Sequence, residues 1–411
     1  MLFEEKKDAY ARLVVTAGVH VRPGQKVFLG SSVEMYEFAR LIVKYAYEAG
    51  ASEVLVRYTD VVASRATYDH APMEVFETVH PWEAEEMNTY AKTDVAFIYL
   101  AGDDPDAMKG VDFKKVAARQ RARHEALKDY YKLQSTMGFK WNIVGVPTRA
   151  WAEKVFPLEN PDVAMTRLWN AIFSACRIGE GDAYERWMAH ADDLKARSET
   201  LNAWQFDALR YKSSNGTDFT VGLVKDHRWE GGADIDKKDG GRFFANMPTE
   251  EVFTMPDRRR AEGKLVASMP LSFHGSLIEK FSFTFHEGKV VEYDAERGKD
   301  TLKSLLETDE GSLHLGECAL VPLPSPVADT KVLFLETLFD ENAACHFALG
   351  ACYETNLLGG EKMSDEDRLS HGANLSANHV DFMVGTPDLS ITGILSDGRE
   401  IPVFKDGTWA F

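Results

Sequence analysis

Residues 26–60 read KVFLGSSVEMYEFARLIVKYAYEAGASEVLVRYTD. Within this stretch, KVFLGSS is a short apolar run, MYEFARLIVKYAYEAG has helical periodicity and ends at a glycine, and SEVLVRYTD is rich in strand-forming residues. A strand, a helix and a second strand in this order predict a βαβ unit, in which the two strands run parallel.

The same alternation continues toward residue 150. Strand signals recur at DVAFIYLAG (94–102) and WNIVGVPT (141–148), and a long charged helix is predicted between them over residues 112–137. Four strands separated by helices predict a mostly parallel sheet that is covered on both faces.

The sequence pattern changes near residue 205, where strand and hairpin signals replace the helices. The segment 208–224 alternates around Asn215-Gly216, which predicts a hairpin with a type I′ turn. A second hairpin is predicted around Glu287-Gly288.

The length of the chain also suggests two domains, because 411 residues exceed the roughly 100–200 residues of an average domain. We predict an α/β N-terminal domain with a mostly parallel sheet over residues 1–195. A β-rich α+β C-terminal catalytic domain is predicted over residues 196–411.

The charge and the cysteines limit the possible partners and the compartment. With 47 basic and 65 acidic residues, the net charge of −18 argues against nucleic acid or an anionic membrane as a partner. The opening MLFEEKKDAY lacks the apolar run of a signal peptide, and no later stretch reaches the ~18 apolar residues of a membrane span. Four cysteines without CxxC spacing favour a reducing compartment, so we expect a cytoplasmic protein.

Common catalytic motifs are missing from the sequence. It contains no GxxxxGK[ST] phosphate loop and no GxSxG elbow, and neither HEALK (124–128) nor HEGKV (286–290) completes HExxH. The HAD sequence at residues 190–192 lies in a helical pattern, where positions i and i+2 do not share a face. We therefore interpret His190 as structural.

Candidate metal ligands occur in the second half of the chain. ANHVDFMVG (377–385) reads as a strand, so His379 and Asp381 leave the same face. In FDENAACHFALGACY (339–353), His346 and Tyr353 are seven residues apart, which would place them on one side of a helix, although Gly350 argues against a helix.

Isolated carboxylates in apolar surroundings complete the set. Glu317 lies between apolar neighbours in LGECALV, Glu341 lies just before His346, and NMPTEEVFTMP (246–256) contributes Glu250 or Glu251. Because consecutive strand residues face opposite ways, only one of the two adjacent glutamates should enter the site.

These acidic and histidine side chains need a positive charge if they are buried together, because isolated buried ions are unstable. The core segments contain no lysine or arginine. Two divalent cations would balance three carboxylates with one positive charge left over, and Glu341 would neutralise that charge. Mixed histidine and carboxylate ligands suit Zn²⁺, Co²⁺ or Mn²⁺ better than Ca²⁺.

The segments NMPTEEVFTMP, LGECALVPLPSP, FDENAACHFALGACY and NLSANHVDFMVGTPDLSITG, in this order, resemble the thermophilic aminopeptidase family of dinuclear metallopeptidases. The resemblance covers essentially the whole chain and is strongest over about residues 240–395. It implies a two-domain subunit and a homodimer whose sites face an enclosed space. The metal ligands that it implies are Glu251, Glu317, His346, His379 and Asp381, with Glu341 as an addition and Tyr353 as a ligand or catalytic group beside them.

We therefore expect an aminopeptidase that removes N-terminal residues from peptides with a metal-bridged water as nucleophile. Glu317 would take the proton of that water, and Tyr353 would donate a hydrogen bond to the tetrahedral oxyanion. The free amine of the substrate would bind a metal, or its ammonium would pair with Glu250.

Two other functions remain open from the sequence. A mononuclear Fe(II) ring-cleaving dioxygenase on a related fold could use His346, His379 and Asp381, but Glu251 and Glu317 would then have no metal partner. A non-enzymatic binding protein stabilised by metal is the third alternative, and it predicts closed coordination without turnover.

Overall fold

The predicted strand–helix–strand unit is present in the computed structural model, which describes residues 1–273 and 275–411. Strands Lys26–Ser32 and Glu53–Thr59 pair in parallel. The helix Tyr36–Glu48 connects them and buries one apolar face. The βαβ interpretation of this stretch is confirmed.

The parallel sheet grows on the other side of its first strand. Val95–Ala101 pairs with Lys26–Ser32, and Lys140–Gly145 pairs in turn with Val95–Ala101, both in parallel. A short fifth strand, Asn246–Met247, pairs in parallel with Lys140–Gly145. The predicted parallel sheet is therefore present, and its last strand comes from much later in the chain.

The chain forms two compact units. The first comprises Met1–Met188 and Ala233–Pro248, and the second comprises Ala189–Gly232 and Thr249–Phe411. The chain thus leaves the second unit after Gly232 and returns to it at Thr249. The predicted division into residues 1–195 and 196–411 has a single boundary and does not contain this excursion.

A buried charge cluster attaches this excursion to the first sheet. The Lys140 side chain is 1% exposed, and its Nζ lies 3.5 Å from Asp236 Oδ2 and 3.4 Å from Asp239 Oδ2. The same Nζ donates a hydrogen bond to the carbonyl oxygen of His20 at 2.8 Å. Burial lowers the pKa of Lys140, while the two aspartates act in the opposite direction.

The long helix predicted over residues 112–137 is two helices, Phe113–Ala126 and Lys128–Ser135. Leu127 leaves the helical conformation, with φ −106° and ψ 23°, and the side chain of Asn88 bonds the backbone on both sides of the break, at the carbonyl of Ala126 and the amide of Tyr130. The other helices that begin in the first unit are Phe3–Leu13, Val61–His70, Pro81–Ala91, Arg149–Val155, Pro161–Ala175 and Ala183–Trp204, the last of which continues into the second unit. No helix in the described residues has the length and apolar content needed to cross a membrane.

Among the residues of the second unit that the structure describes, there are two antiparallel sheets and four short α-helices. The smaller sheet has the strand order His379–Met383, His346–Gly350, Leu315–Leu320, Val252–Thr254 and Glu230–Gly231. The larger has the order Leu271–Phe273, Ser276–His286, Pro256–Val266, Asp218–Leu223, Ala208–Lys212, Ser390–Ile394, Glu400–Lys405 and Thr408–Trp409, with Lys289–Arg297 paired to Ser276–His286. The helices are Lys299–Leu306, Pro326–Asp329, Thr337–Asp340 and Asp365–His371.

Aromatic side chains from both sheets of the second unit form one hydrophobic core. Phe219 of the larger sheet packs edge-on against Phe347 of the smaller sheet at 5.5 Å between ring centroids. Phe283 meets Phe382 in the same way at 5.1 Å. This packing buries the smaller sheet from one side and fixes the strands that carry the candidate ligands.

Both predicted hairpins form, but one turn differs from its prediction. Glu287 and Gly288 both have positive φ, at 49° and 80°, as a two-residue type I′ turn requires. At the other hairpin only Gly216 has positive φ, at 104°, and its amide donates to the carbonyl of Ser213. The type I′ prediction at Asn215 is therefore wrong. The loop between the paired residues Lys212 and Asp218 is longer than two residues, so Asn215 does not need the left-handed conformation.

Candidate metal centre

The smaller sheet of the second unit brings together five residues that lie far apart in sequence. Three neighbouring strands carry four of them, and the fifth directly precedes a fourth strand. In chain order they are Glu251, Glu317, His346, His379 and Asp381. The antiparallel register places Ala319 opposite His346 and Ala348 opposite Asp381. Pairing between strands, rather than proximity in sequence, assembles this cluster.

The five side chains form two groups that share Glu317. In the first group, His346 Nε2 lies 3.0 Å from Glu251 Oε2 and 3.5 Å from Glu317 Oε1. In the second, His379 Nε2 lies 3.6 Å from Glu317 Oε2 and 3.5 Å from Asp381 Oδ1. Within each group, the potential ligand atoms lie within 4.8 Å of one another. Glu317 therefore presents one carboxylate oxygen to each group.

Backbone carbonyls orient both imidazole rings. The Nδ1 atom of His346 is 3.1 Å from the carbonyl oxygen of Ala344, and that of His379 is 2.8 Å from the carbonyl oxygen of Ala351. A carbonyl only accepts hydrogen bonds, so the proton belongs on Nδ1 in each ring. The Nε2 atoms that face the carboxylates are then left as lone-pair donors, the arrangement that a metal-binding histidine uses.

The donor atoms of the cluster fit divalent cations. His346 Nε2 and Asp381 Oδ1 are buried and have no hydrogen-bond partner within the described part of the chain. Although His346 Nε2 lies close to Glu251 Oε2, the angles between the two groups do not suit a hydrogen bond. Among the described residues, no lysine or arginine pairs with Glu251, Glu317 or Asp381. Cations at the two groups would satisfy both orphaned atoms and balance the carboxylates.

The electrostatic environment is strongly negative. Burial alone lowers the pKa of His346, but Glu251 and Glu317 raise it to well above the ordinary histidine value. Burial also lowers the pKa of His379, but the charges of Asp381 and Glu317 outweigh it and raise that pKa to about 10. Burial also raises the pKa of Glu317. The cluster thus attracts positive charge, whether protons or metal ions.

Glu341 lies at the edge of this cluster. Burial raises the pKa of Glu341 well above the usual range, and the charges of Asp381 and Glu251 raise it further. The amide of Asn342 lies 3.4 Å from Glu341 Oε1. Glu341 belongs to neither group of atoms within 4.8 Å, so the structure places it beside the two groups rather than inside them.

Tyr353 lies next to the second group, but it is not on a helix with His346. The segment His346–Gly350 is a strand that pairs on both sides, and Gly350 ends it with φ 111°. The helical interpretation is therefore wrong, because pairing with two neighbouring strands overrides the local spacing.

The ring of Tyr353 packs at the open side of the cluster. Its centroid is 5.0 Å from that of His379 and 5.8 Å from that of Phe253, and the residue is 48% exposed. Local desolvation, followed by the charges of Glu317 and Asp381, raises the pKa of Tyr353 well above its ordinary value. The hydroxyl therefore stays protonated and can donate a hydrogen bond. The sequence did not single out Phe253 as a site residue, although residues two apart in a strand share a face and Phe253 follows Glu251 by two.

The two adjacent glutamates turn to different partners. Whereas Glu251 faces His346, Glu250 Oε2 lies 3.5 Å from His190 Nε2, and Glu250 is only 4% exposed. The backbone amide of Glu250 donates to the side-chain oxygen of the buried Asn342 at 2.7 Å. His190 also lies 2.8 Å from the carbonyl of Thr249. No sequence signal identified His190 and Asn342 as neighbours of this segment, because both contacts are tertiary.

Comparison with known proteins gives consistent matches. The family model described as thermophilic metalloprotease (M29) matches residues 3–409. Aminopeptidase AmpS of Bacillus subtilis (strain 168) is 42% identical over 409 residues, which cover 100% of this chain and 99% of that protein. The solved structure of wild-type AmpT from Thermus thermophilus has a TM-score of 0.92 at 38% identity and covers 100% of both chains.

A more distant likeness concerns the fold alone. The solved structure of 2,5-dihydroxypyridine dioxygenase from Pseudomonas putida KT2440 has a TM-score of 0.53 at 11% identity, with 100% of this chain and 98% of that chain covered. Such low identity shows a shared architecture and gives no information about the reaction.

Proposed function

The chain belongs to the thermophilic metalloprotease family (M29) and is a metalloaminopeptidase, and we propose that its two groups of acidic and histidine side chains hold a pair of divalent cations. The observation that carries the proposal is the position of Glu317, whose two oxygens face one group each. The proposed ligands are Glu251, Glu317, His346, His379 and Asp381, with Glu341 as an addition at the edge.

The charge of the site supports two cations rather than one. Three carboxylates and two neutral imidazoles carry a charge of −3, which two divalent ions change to +1 and which ionised Glu341 would bring to zero. With Glu341 ionised, a single divalent ion would leave a charge of −2 among buried groups, so the full set of four carboxylates favours two cations. Nitrogen and carboxylate ligands favour Zn²⁺, Co²⁺ or Mn²⁺ as the metal.

When bound, divalent cations would supply Lewis-acid chemistry at these residues, since they would lower the pKa of a coordinated water to about 7 and polarise the scissile carbonyl. We assign the proton transfer to Glu317, because its carboxylate lies between the two groups and its oxygens carry more lone pairs than ligation of the cations would use. It would take the proton of the attacking water and deliver it to the leaving amine as the C–N bond breaks.

We assign to Tyr353 the donation of a hydrogen bond to the tetrahedral oxyanion. Its ring packs on that of His379, and its raised pKa keeps the hydroxyl protonated as a hydrogen-bond donor. A donor aimed at charge that develops in the transition state lowers the barrier more than it strengthens substrate binding.

The free N-terminus of the substrate can be selected in two ways. Its ammonium could pair with Glu250, or its neutral amine could join the ligands at the cluster. The burial of Glu250 and its position beside His190 favour binding of the neutral amine at the cluster. We further propose peptides with a free N-terminus as substrates, a homodimer as the working form and the cytoplasm as the compartment, as the sequence resemblance and the cysteine content indicate.

The test compares hydrolysis of an unblocked dipeptide with that of its N-acetylated form. We expect cleavage of the unblocked form only, loss of activity on chelation, and recovery with Zn²⁺, Co²⁺ or Mn²⁺. Metal analysis should give two ions per chain. Full activity after confirmed metal removal would refute the proposal. One iron per chain with oxygen consumption on a hydroxypyridine would instead indicate a dioxygenase.

A further inference from the structure

Tyr353 has few direct restraints of its own. Almost half of the residue is exposed, and within the described residues no hydrogen bond of its hydroxyl is present. Its ring is in contact with His379 and Phe253 on one side. The orientation of the hydroxyl therefore depends on how firmly the backbone around Tyr353 is held.

The turn that follows Tyr353 is fixed by an ion pair to a buried arginine. Glu354–Asn356 forms a single helical turn, and Glu354 Oε1 lies 2.8 Å from Arg368 Nη1. Arg368 is 7% exposed, and its guanidinium also contacts Asp365 and approaches the carbonyl of Gly360 at 3.4 Å. A planar guanidinium with several partners holds a carboxylate in one orientation better than a flexible ammonium does.

A second contact fixes the same turn from the side of the sheet. Thr355 Oγ1 donates to Glu230 Oε2 at 2.6 Å. Glu230 pairs with Phe253 in the register of the smaller sheet, and Phe253 is the ring that packs on Tyr353. The turn is thus attached both to the strand beneath Tyr353 and to Arg368.

We propose that the ion pair between the buried Arg368 and the partly buried Glu354 positions Tyr353, so that its hydroxyl stays directed at the reacting carbonyl. The ion pair joins Arg368 to the turn that follows Tyr353, and neither residue belongs to the two groups of proposed ligands, so both would act through the backbone of the turn. The inference rests on the proposed role of Tyr353 in the reaction. A displacement of about 1 Å in such a group can lower turnover by about 10²-fold.

The test is a double-mutant cycle of Glu354→Gln and Tyr353→Phe, measured by kcat, KM and metal content. Glu354→Gln keeps the size of the side chain and removes the charge that Arg368 holds. We expect it to lower kcat by about 10- to 100-fold, as loss of a supporting contact typically does, with KM and metal content nearly unchanged. In the Tyr353→Phe background, the same change should lower kcat by less than about twofold, because non-additivity marks residues that act together.

Controls separate positioning from a general loss of stability. Glu296→Gln removes a partner of the exposed Lys280–Glu296 pair in the same unit and should leave kcat and KM unchanged. Arg368→Lys keeps the charge but not the planar fork, so it should fall between the wild type and Glu354→Gln in kcat.

The outcomes distinguish the inference from the proposed function. If Tyr353→Phe alone keeps the wild-type kcat, the role of Tyr353 fails, and its positioning with it. If Tyr353→Phe collapses turnover but Glu354→Gln does not, only the positioning inference fails. Equal losses from Glu354→Gln in both backgrounds, or loss of metal from that variant, would also overturn it.

Discussion

Glu250 and Glu251 provide a sensitive test of the metal site, since two adjacent residues of the same type face different partners. Glu251 Oε2 lies 3.0 Å from His346 Nε2 in a group of potential ligand atoms, whereas Glu250 Oε2 lies 3.5 Å from His190 Nε2. We expect Glu251→Gln to remove metal and activity together. The matched change Glu250→Gln should leave the metal content unchanged.

The size of the effect follows from the geometry of the group. Its ligand atoms lie within 4.8 Å of one another, so a divalent ion held among them lies no farther than roughly this from the Glu251 carboxylate. Coulomb's law with an effective dielectric constant of about 20 gives about 7 kcal/mol for that attraction. If the neutral amide oxygen of glutamine recovers somewhat more than half of this attraction, a loss of about 3 kcal/mol remains, which weakens metal binding by about 100-fold.

The assay is a titration of the metal-free protein with Zn²⁺, followed by metal analysis after gel filtration and by hydrolysis of an unblocked dipeptide. Wild type and Glu250→Gln should bind the same number of ions with similar affinity. Glu251→Gln should bind the ion of the first group about 100-fold more weakly. Metal loss from Glu250→Gln with normal binding by Glu251→Gln would show that the structure assigns the two carboxylates to the wrong partners.

Three further changes test other parts of the molecule. Tyr353→Phe should lower kcat and kcat/KM by about 10²–10³-fold with both metal ions retained, since only an oxyanion donor is lost; near-normal kcat would exclude that role. Incubation with a chelator should lower the thermal unfolding midpoint, and added Co²⁺ should restore it, because bound metal stabilises the native state; an unchanged midpoint after confirmed metal loss would contradict this. Lys140→Met should lower the free energy of unfolding by about 3 kcal/mol in denaturant titrations, because Asp236 and Asp239 lose a buried partner, whereas Lys280→Met at the exposed pair should change it by less than about 0.5 kcal/mol.

Local patterns were sufficient to predict much of the architecture. Residues 26–60 carry both the apolar run of a buried strand and the helical period of its connection, and these depend on neighbours in sequence. The same holds for the turn at Glu287-Gly288, where two residues determine the geometry. The acidic and histidine residues of the two groups could also be identified from the sequence, because ionisable side chains among apolar neighbours need a compensating charge.

Local patterns failed where distant segments compete with them. The spacing of His346 and Tyr353 suits a helix, yet strand His346–Gly350 forms because two neighbouring strands supply its hydrogen bonds. Leu127 interrupts a helical pattern where the side chain of Asn88, from an earlier helix, bonds the carbonyl of Ala126 and the amide of Tyr130. Likewise, residues 233–248 belong to the first unit because of contacts with a strand about a hundred residues earlier in the chain.

The arrangement of the candidate site required the tertiary structure. The sequence predicts that only one of Glu250 and Glu251 enters the site, but which carboxylate meets His346 depends on segments about a hundred residues away. The position of Glu317 between two histidines likewise depends on the register of three strands. Periodicity specifies the face of a strand on which a side chain lies, whereas the partner of each oxygen atom is determined only when the strands pair.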